Sequence, residues 1–197
     1  MILPIVAYGD PVLKKRTSPI NVEYPNIKSI IPNMYDTMYA ANGVGLAAPQ
    51  IGLSIRLFLV DTSPFSDDDS LSASDRNKLK NFKKTFINPE IIEESGKEWS
   101  FNEGCLSIPG IREDVIRKNQ IKIRFQDENF VEKTENFEGL IARVIQHEYD
   151  HIEGVLFTDK VSNFKRRLIK SKLASISKGK VFTDYKMRFP KISKKRF

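Results

Sequence analysis

Glu138-Gly139-Leu140-Ile141-Ala142-Arg143-Val144-Ile145-Gln146-His147-Glu148-Tyr149-Asp150-His151-Ile152-Glu153 is the stretch on which the fold turns. Read as one helix, it leaves little polar surface, because Leu140, Ile141, Val144, Ile145 and Ile152 spread around it. A helix apolar on nearly every side is a buried one, so strands are expected to wrap it. Leu140, Val144, His147 and His151 share one face, with Glu148 at its edge. Side chains four residues apart stack on a helix, so the two imidazoles, the only histidines of the chain, can reach one cation at about 2.0–2.1 Å. Glu148 then lies beside the ion, where it can exchange protons with a water.

Outward from this helix the chain alternates between short β-type runs and two further helices. Upstream, runs at Thr85–Glu93, Glu98–Phe101, Val115–Ile116, Ile121–Gln126 and Phe130–Asn136, broken by turn residues such as Asp127-Glu128-Asn129, predict a largely antiparallel region. Leu57, Phe58, Leu59 and Val60 predict a buried strand over Ile55–Asp61. Residues 26–41 read as a helix, since Ile27, Ile30, Ile31, Met34, Tyr35 and Met38 recur at helical spacing, with Pro32 opening its main part or kinking it. Asn42-Gly43 ends it, and the small residues of Gly43–Gln50 permit close backbone approach. Residues 63–84, with Asp67-Asp68-Asp69, read as a mobile surface insertion. A last helix is expected from Val161 to Ile176 with Phe164, Leu168 and Leu173 as its apolar stripe. The fold class is therefore α+β, with antiparallel sheets around a central helix.

A length of 197 residues with 40% hydrophobic content suffices for one packed domain, and 29% charge with a mean hydropathy of −0.37 marks a soluble chain. No stretch approaches the roughly eighteen apolar residues of a membrane helix, and no leader precedes the first apolar run, so a cytoplasmic location is expected. The lone Cys105 excludes an internal disulfide and leaves a thiol free to act as ligand or nucleophile. The net charge of +7 is uneven: residues 160–197 hold fourteen Lys or Arg against the single Asp184, while residues 1–159 hold 18 basic and 24 acidic side chains. A catalytic domain over 1–177 and a basic extension over 178–197 are expected, the latter a candidate for ribosome or RNA contact.

Two histidines do not close a catalytic metal site, which takes three protein ligands and leaves one position open. A metzincin-type protease would place a third histidine where this chain has Phe157. Beyond His151 the only acids are Glu153, Asp159 and Asp184, which leaves Cys105 as the natural third ligand. The alternatives weighed against this are a zinc endopeptidase, for which Cys105 would be dispensable, and a non-catalytic RNA-binding protein with a structural metal.

Gly43-Val44-Gly45-Leu46-Ala47-Ala48-Pro49-Gln50, Glu103-Gly104-Cys105-Leu106-Ser107 and Gln146-His147-Glu148-Tyr149-Asp150-His151 together resemble the three motifs of the peptide deformylases. The resemblance covers about residues 1–160. It implies removal of the formyl group from the N-terminal formylmethionine of new polypeptides, with release of formate. It also implies Cys105, His147 and His151 as metal ligands, Glu148 as general base, and the Gln50 amide and Leu106 N–H as donors to the formyl oxygen. Ferrous iron is the implied ion in the cell, with zinc, nickel or cobalt also suited to one thiolate and two imidazoles. Gly45 and the strand around Cys105 would pair with the peptide backbone, and Val44, Leu140 and Val144 are candidates for the methionine pocket. Arg143 departs from the apolar residue expected at its place, its guanidinium directed to solvent or an acid. Asp150 is expected to pair with Arg112 or Arg117.

Overall fold

The structure, a computed structural model, describes residues 1–190. Five strands, β2 (Gly45–Ala47), β3 (Leu57–Asp61), β4 (Lys83–Cys105), β5 (Ile108–Gln126) and β6 (Glu132–Glu138), form one antiparallel sheet in that spatial order. A second pair joins β1 (Ile5–Val6) to β7 (Met187–Arg188), and this pair is parallel rather than antiparallel. Four helices complete the chain: α1 (Ile27–Ala40), α2 (Ala73–Lys80), α3 (Gly139–Ile152) and α4 (Asn163–Ser177).

Helix α3 takes the central place expected of it, packed against β2, β3, β5 and β6 with every residue from Ala142 to Glu148 buried. It follows β6 without a linker, which Gly139 permits by adopting φ +60°. The apolar side of α3 meets Phe58, Phe86 and Phe125 through one continuous core, in which the Phe86 and Phe125 rings lie 4.5 Å apart. Helix α1 closes the other side of the sheet through Ile31, Met34 and Met38. It runs uninterrupted through Pro32 and stops as expected, where Asn42 turns left-handed at φ 53° and the Gly43 N–H returns to the Met38 carbonyl at 2.9 Å.

Three expectations are corrected. The short β runs between 85 and 126 are segments of two long strands, because register shifts near Asn88-Pro89 and Ser95-Gly96 absorb the apparent breaks as bulges. Residues 63–84 are folded, not a loose insertion: they contain a 3-10 turn at Ser63–Asp67, α2 and the start of β4, with Leu79 and Phe82 buried. The apolar stripe of α4 is Ile169, Leu173 and Ile176, while Phe164 and Leu168 are each 63% exposed. Nine helical residues turn the chain through about 900°, so Phe164 and Leu173 point in opposite directions and cannot share a face.

After α4 the chain returns to the body, where the half-buried Val181, Met187 and Phe189 pack against the cluster that contains Val6, Leu13 and Ile111. The last part of the basic extension, 191–197, lies outside the described residues.

Candidate metal centre and active site

Cys105 ends β4 at a two-residue turn, Leu106-Ser107, that leads straight into β5. The turn delivers its thiol to the α3 face that carries His147 and His151. The candidate ligand atoms of Cys105, His147 and His151 all lie within 4.8 Å of one another, and the Cys105 Sγ is 3.3 Å from His151 Nε2. Among the described residues no carboxylate joins them. One soft sulfur and two imidazole nitrogens at this separation fit a single divalent transition metal.

The buried carboxylate of Glu103 orients this cluster. Its Oε2 accepts from His147 Nδ1 at 2.8 Å, which turns the other ring nitrogen toward Cys105. Arg117 donates to both Glu103 oxygens, at 2.7 and 3.0 Å, and also to Asp150 at 2.6 Å. Of the two arginines considered for Asp150, Arg117 is therefore the partner; Arg112 instead donates to Asn102. Burial raises the Glu103 pKa, but the bonds from Arg117 and His147 outweigh it and hold the carboxyl far below the usual carboxylate range.

Arg143 reaches an acid, not solvent. It donates to Glu103 at 2.9 Å and to the Val115 and Trp99 carbonyls at 3.1 and 2.7 Å, while its guanidinium lies 4.6 Å from the centre of the Trp99 ring.

Glu148 is the next residue along α3 and is buried with its Oε2 unpartnered. Burial pushes its carboxyl up to about 7, which poises it to take and return a proton near neutrality. Its other oxygen presses on β2: a Cβ added at Gly45 would sit 2.5 Å from Glu148 Oε1. The small residue at 45 therefore makes room for the Glu148 carboxylate.

Gln50 is fixed by its own carbonyl, which accepts from the Ala47 N–H at 2.8 Å. Its Nε2 is thereby turned toward Cys105 Sγ and Ser107 Oγ, at 3.5 and 3.4 Å. Gln50, Cys105, Leu106, His147 and Glu148 line one cavity of about 510 Å3. Val44, Gly45 and Val144 line it too, whereas Leu140 lies half-buried outside it and Arg143 takes part in the wall.

Three contributors had no role assigned from sequence. Glu103 was within reach, because alternate residues of a strand point the same way and it stands two before Cys105. Ser107, and Tyr185 whose hydroxyl donates to the Leu106 carbonyl at 2.8 Å, give no comparable signal, since each enters the site through contacts distant in sequence.

A buried helix bearing two imidazoles and a free carboxylate, faced by a thiol at a hairpin end, defines a mononuclear metallohydrolase. A profile of the polypeptide deformylase family matches residues 2–167. Over the full length of both chains the sequence is 63% identical to the peptide deformylase of Flavobacterium johnsoniae and 61% identical to that of Christiangramia forsetii. Among solved structures, the peptide deformylase of Legionella pneumophila superposes with a TM-score of 0.76 at 35% identity, covering 90% of this chain and 96% of that one. The Thermotoga maritima enzyme gives 0.71 at 39% identity, covering 82% and 99%. The chain belongs to the polypeptide deformylase family and is a metal-dependent hydrolase of an N-formyl amide.

Proposed function

We propose that this cavity removes the formyl group from the N-terminal formylmethionine of nascent polypeptides, with Cys105, His147 and His151 as metal ligands and Glu148 as general base. The observation that carries the reading is the convergence of those three ligand groups beside a buried carboxylate oxygen with no partner. The donor set suits ferrous iron in the cell, and zinc, nickel or cobalt otherwise. When bound, such an ion supplies Lewis acidity, acidifying water and polarising a carbonyl.

The chain's own residues do the rest. Glu148 Oε2 takes a proton from the attacking water as its oxygen bonds to the formyl carbon, then passes it to the departing amine nitrogen as the C–N bond breaks, leaving formate and a free amino terminus. Gln50 Nε2 and the Leu106 N–H donate to the oxygen that becomes negative; losing one such donor costs on the order of a hundredfold in rate. Among the described residues strand β2 has only β3 as a strand neighbour, so its other edge can accept the peptide as an added strand. That mode uses backbone bonds, which suits an enzyme acting on many sequences. Val44 and Val144 offer the methionine side chain its apolar wall.

Formate release from formyl-Met-Ala-Ser, abolished by chelation and restored by ferrous iron, is the direct test. Cys105→Ala should lose tight metal binding; metal retained with full stoichiometry would count against the ligand set. No helix among the described residues is long and apolar enough to cross a membrane. A cytoplasmic location, and contact of the basic C-terminal segment with the ribosome, belong to the same proposal; the second rests on the charge asymmetry alone.

A further inference from the structure

The cavity has a wall that the catalytic motifs do not supply. Phe182, Thr183, Asp184 and Tyr185, from the return segment after α4, line it alongside Gln50, Cys105 and Leu106. This segment is held on both sides. Before it, Val181 packs into the core; after it, β7 pairs with β1 through bonds from Ile5 N to Lys186 O at 2.8 Å and from Ala7 N to Arg188 O at 2.9 Å. Residues 182–185 are thus stretched between two anchors across the cavity mouth, and Thr183 Oγ1 donates to the Tyr185 carbonyl at 2.8 Å to shape the span.

Two side chains there have distinct positions. The Tyr185 ring packs against the core beneath α1, and its hydroxyl donates to the Leu106 carbonyl at 2.8 Å. Leu106 lies in the two-residue turn after Cys105; the Tyr8 N–H holds the Ser107 carbonyl of that turn at 2.8 Å, and the Tyr185 bond fixes its Leu106 half. Phe182 is 90% exposed although it stands on the cavity rim. An aromatic ring anchored at a groove yet uncovered has its apolar surface available to whatever lies in the groove.

We propose that residues 182–185 form the outer wall of the peptide groove, with Phe182 packing on substrate side chains from the third residue onward and Tyr185 acting as a positioning residue for the Leu106 turn. This rests on the reading that the formyl peptide lies in this cavity. Specificity from the third residue onward is then set partly by the C-terminal segment, outside the region matched by the family profile, which ends at 167.

Steady-state kinetics on formyl-Met-Ala and on formyl-Met-Ala-Leu-Phe, with the iron-loaded full chain, separate the two roles. Phe182→Ala should raise KM for the tetrapeptide about three- to tenfold, the effect of losing one aromatic contact, and leave kcat and the dipeptide KM unchanged. Tyr185→Phe keeps the ring and removes one hydrogen bond; kcat should fall about three- to tenfold on both peptides with KM unchanged. Equal effects of Phe182→Ala on both peptides, no effect on either, or an unaltered kcat in Tyr185→Phe would overturn the proposal. Turnover of the dipeptide by the unaltered protein tests the deformylase reading separately.

Discussion

Two guanidinium groups and one imidazole converge on the Glu103 carboxylate, which is 4% exposed. Removing that charge leaves Arg143 buried with no acid and Arg117 with Asp150 alone, so Glu103→Ala should destabilise the fold by about 3–5 kcal/mol, measurable by chemical denaturation. Glu103→Gln should retain part of the stability, because an amide oxygen still accepts. Asp61 makes a different kind of contribution. Burial raises its pKa, but bonds from the Ser63 hydroxyl and amide and the Tyr39 hydroxyl, with the Lys83 charge, outweigh that and lower it. A carboxyl whose folded pKa lies below its unfolded value of about 3.9 stabilises the fold above that value, and the contribution is lost as the pH falls through the folded one. Asp61→Asn should therefore flatten the fall in stability below about pH 4, as followed by acid-induced loss of near-UV circular dichroism. An acid limb identical to that of the unaltered protein would exclude this role.

Among the elements, α3 is legible in the sequence because its apolar residues spread around it and its two histidines stand four apart, one above the other on one face. Cys105 followed from the shortage of other donors. The long strands were not legible as single elements, since a bulge looks like a turn until its partner strand is known. The stripe of helix α4 is legible in the sequence by spacing alone, since Ile169, Leu173 and Ile176 stand at i, i+4 and i+7 whereas Phe164 lies half a turn away from Leu173. The correct stripe makes a measurable distinction: Leu173→Ala, which empties core volume, should cost about 2–5 kcal/mol in thermal or chemical unfolding, whereas the exposed Leu168→Ala should fall within about 0.5 kcal/mol of the unaltered chain. Tyr185 could not be read from local pattern at all, as its hydroxyl meets a carbonyl 79 residues away.

For the whole molecule, charge segregation has its own consequence. The +13 balance of residues 160–197 against −6 for the remainder concentrates an attractive field for phosphate on one end of the chain. Co-sedimentation with ribosomes should therefore fall steeply between low and physiological salt, while formate release from a neutral tripeptide should change little. Binding insensitive to salt would point away from the basic end. The pairing of β1 with β7 bears on how the protein comes into being. Residues 5–6 pair with 187–188, so during synthesis the opening segment stays unzipped until the residues between them have been made. A cavity wall tethered by so distant a pairing is thus among the last parts of the molecule to be completed.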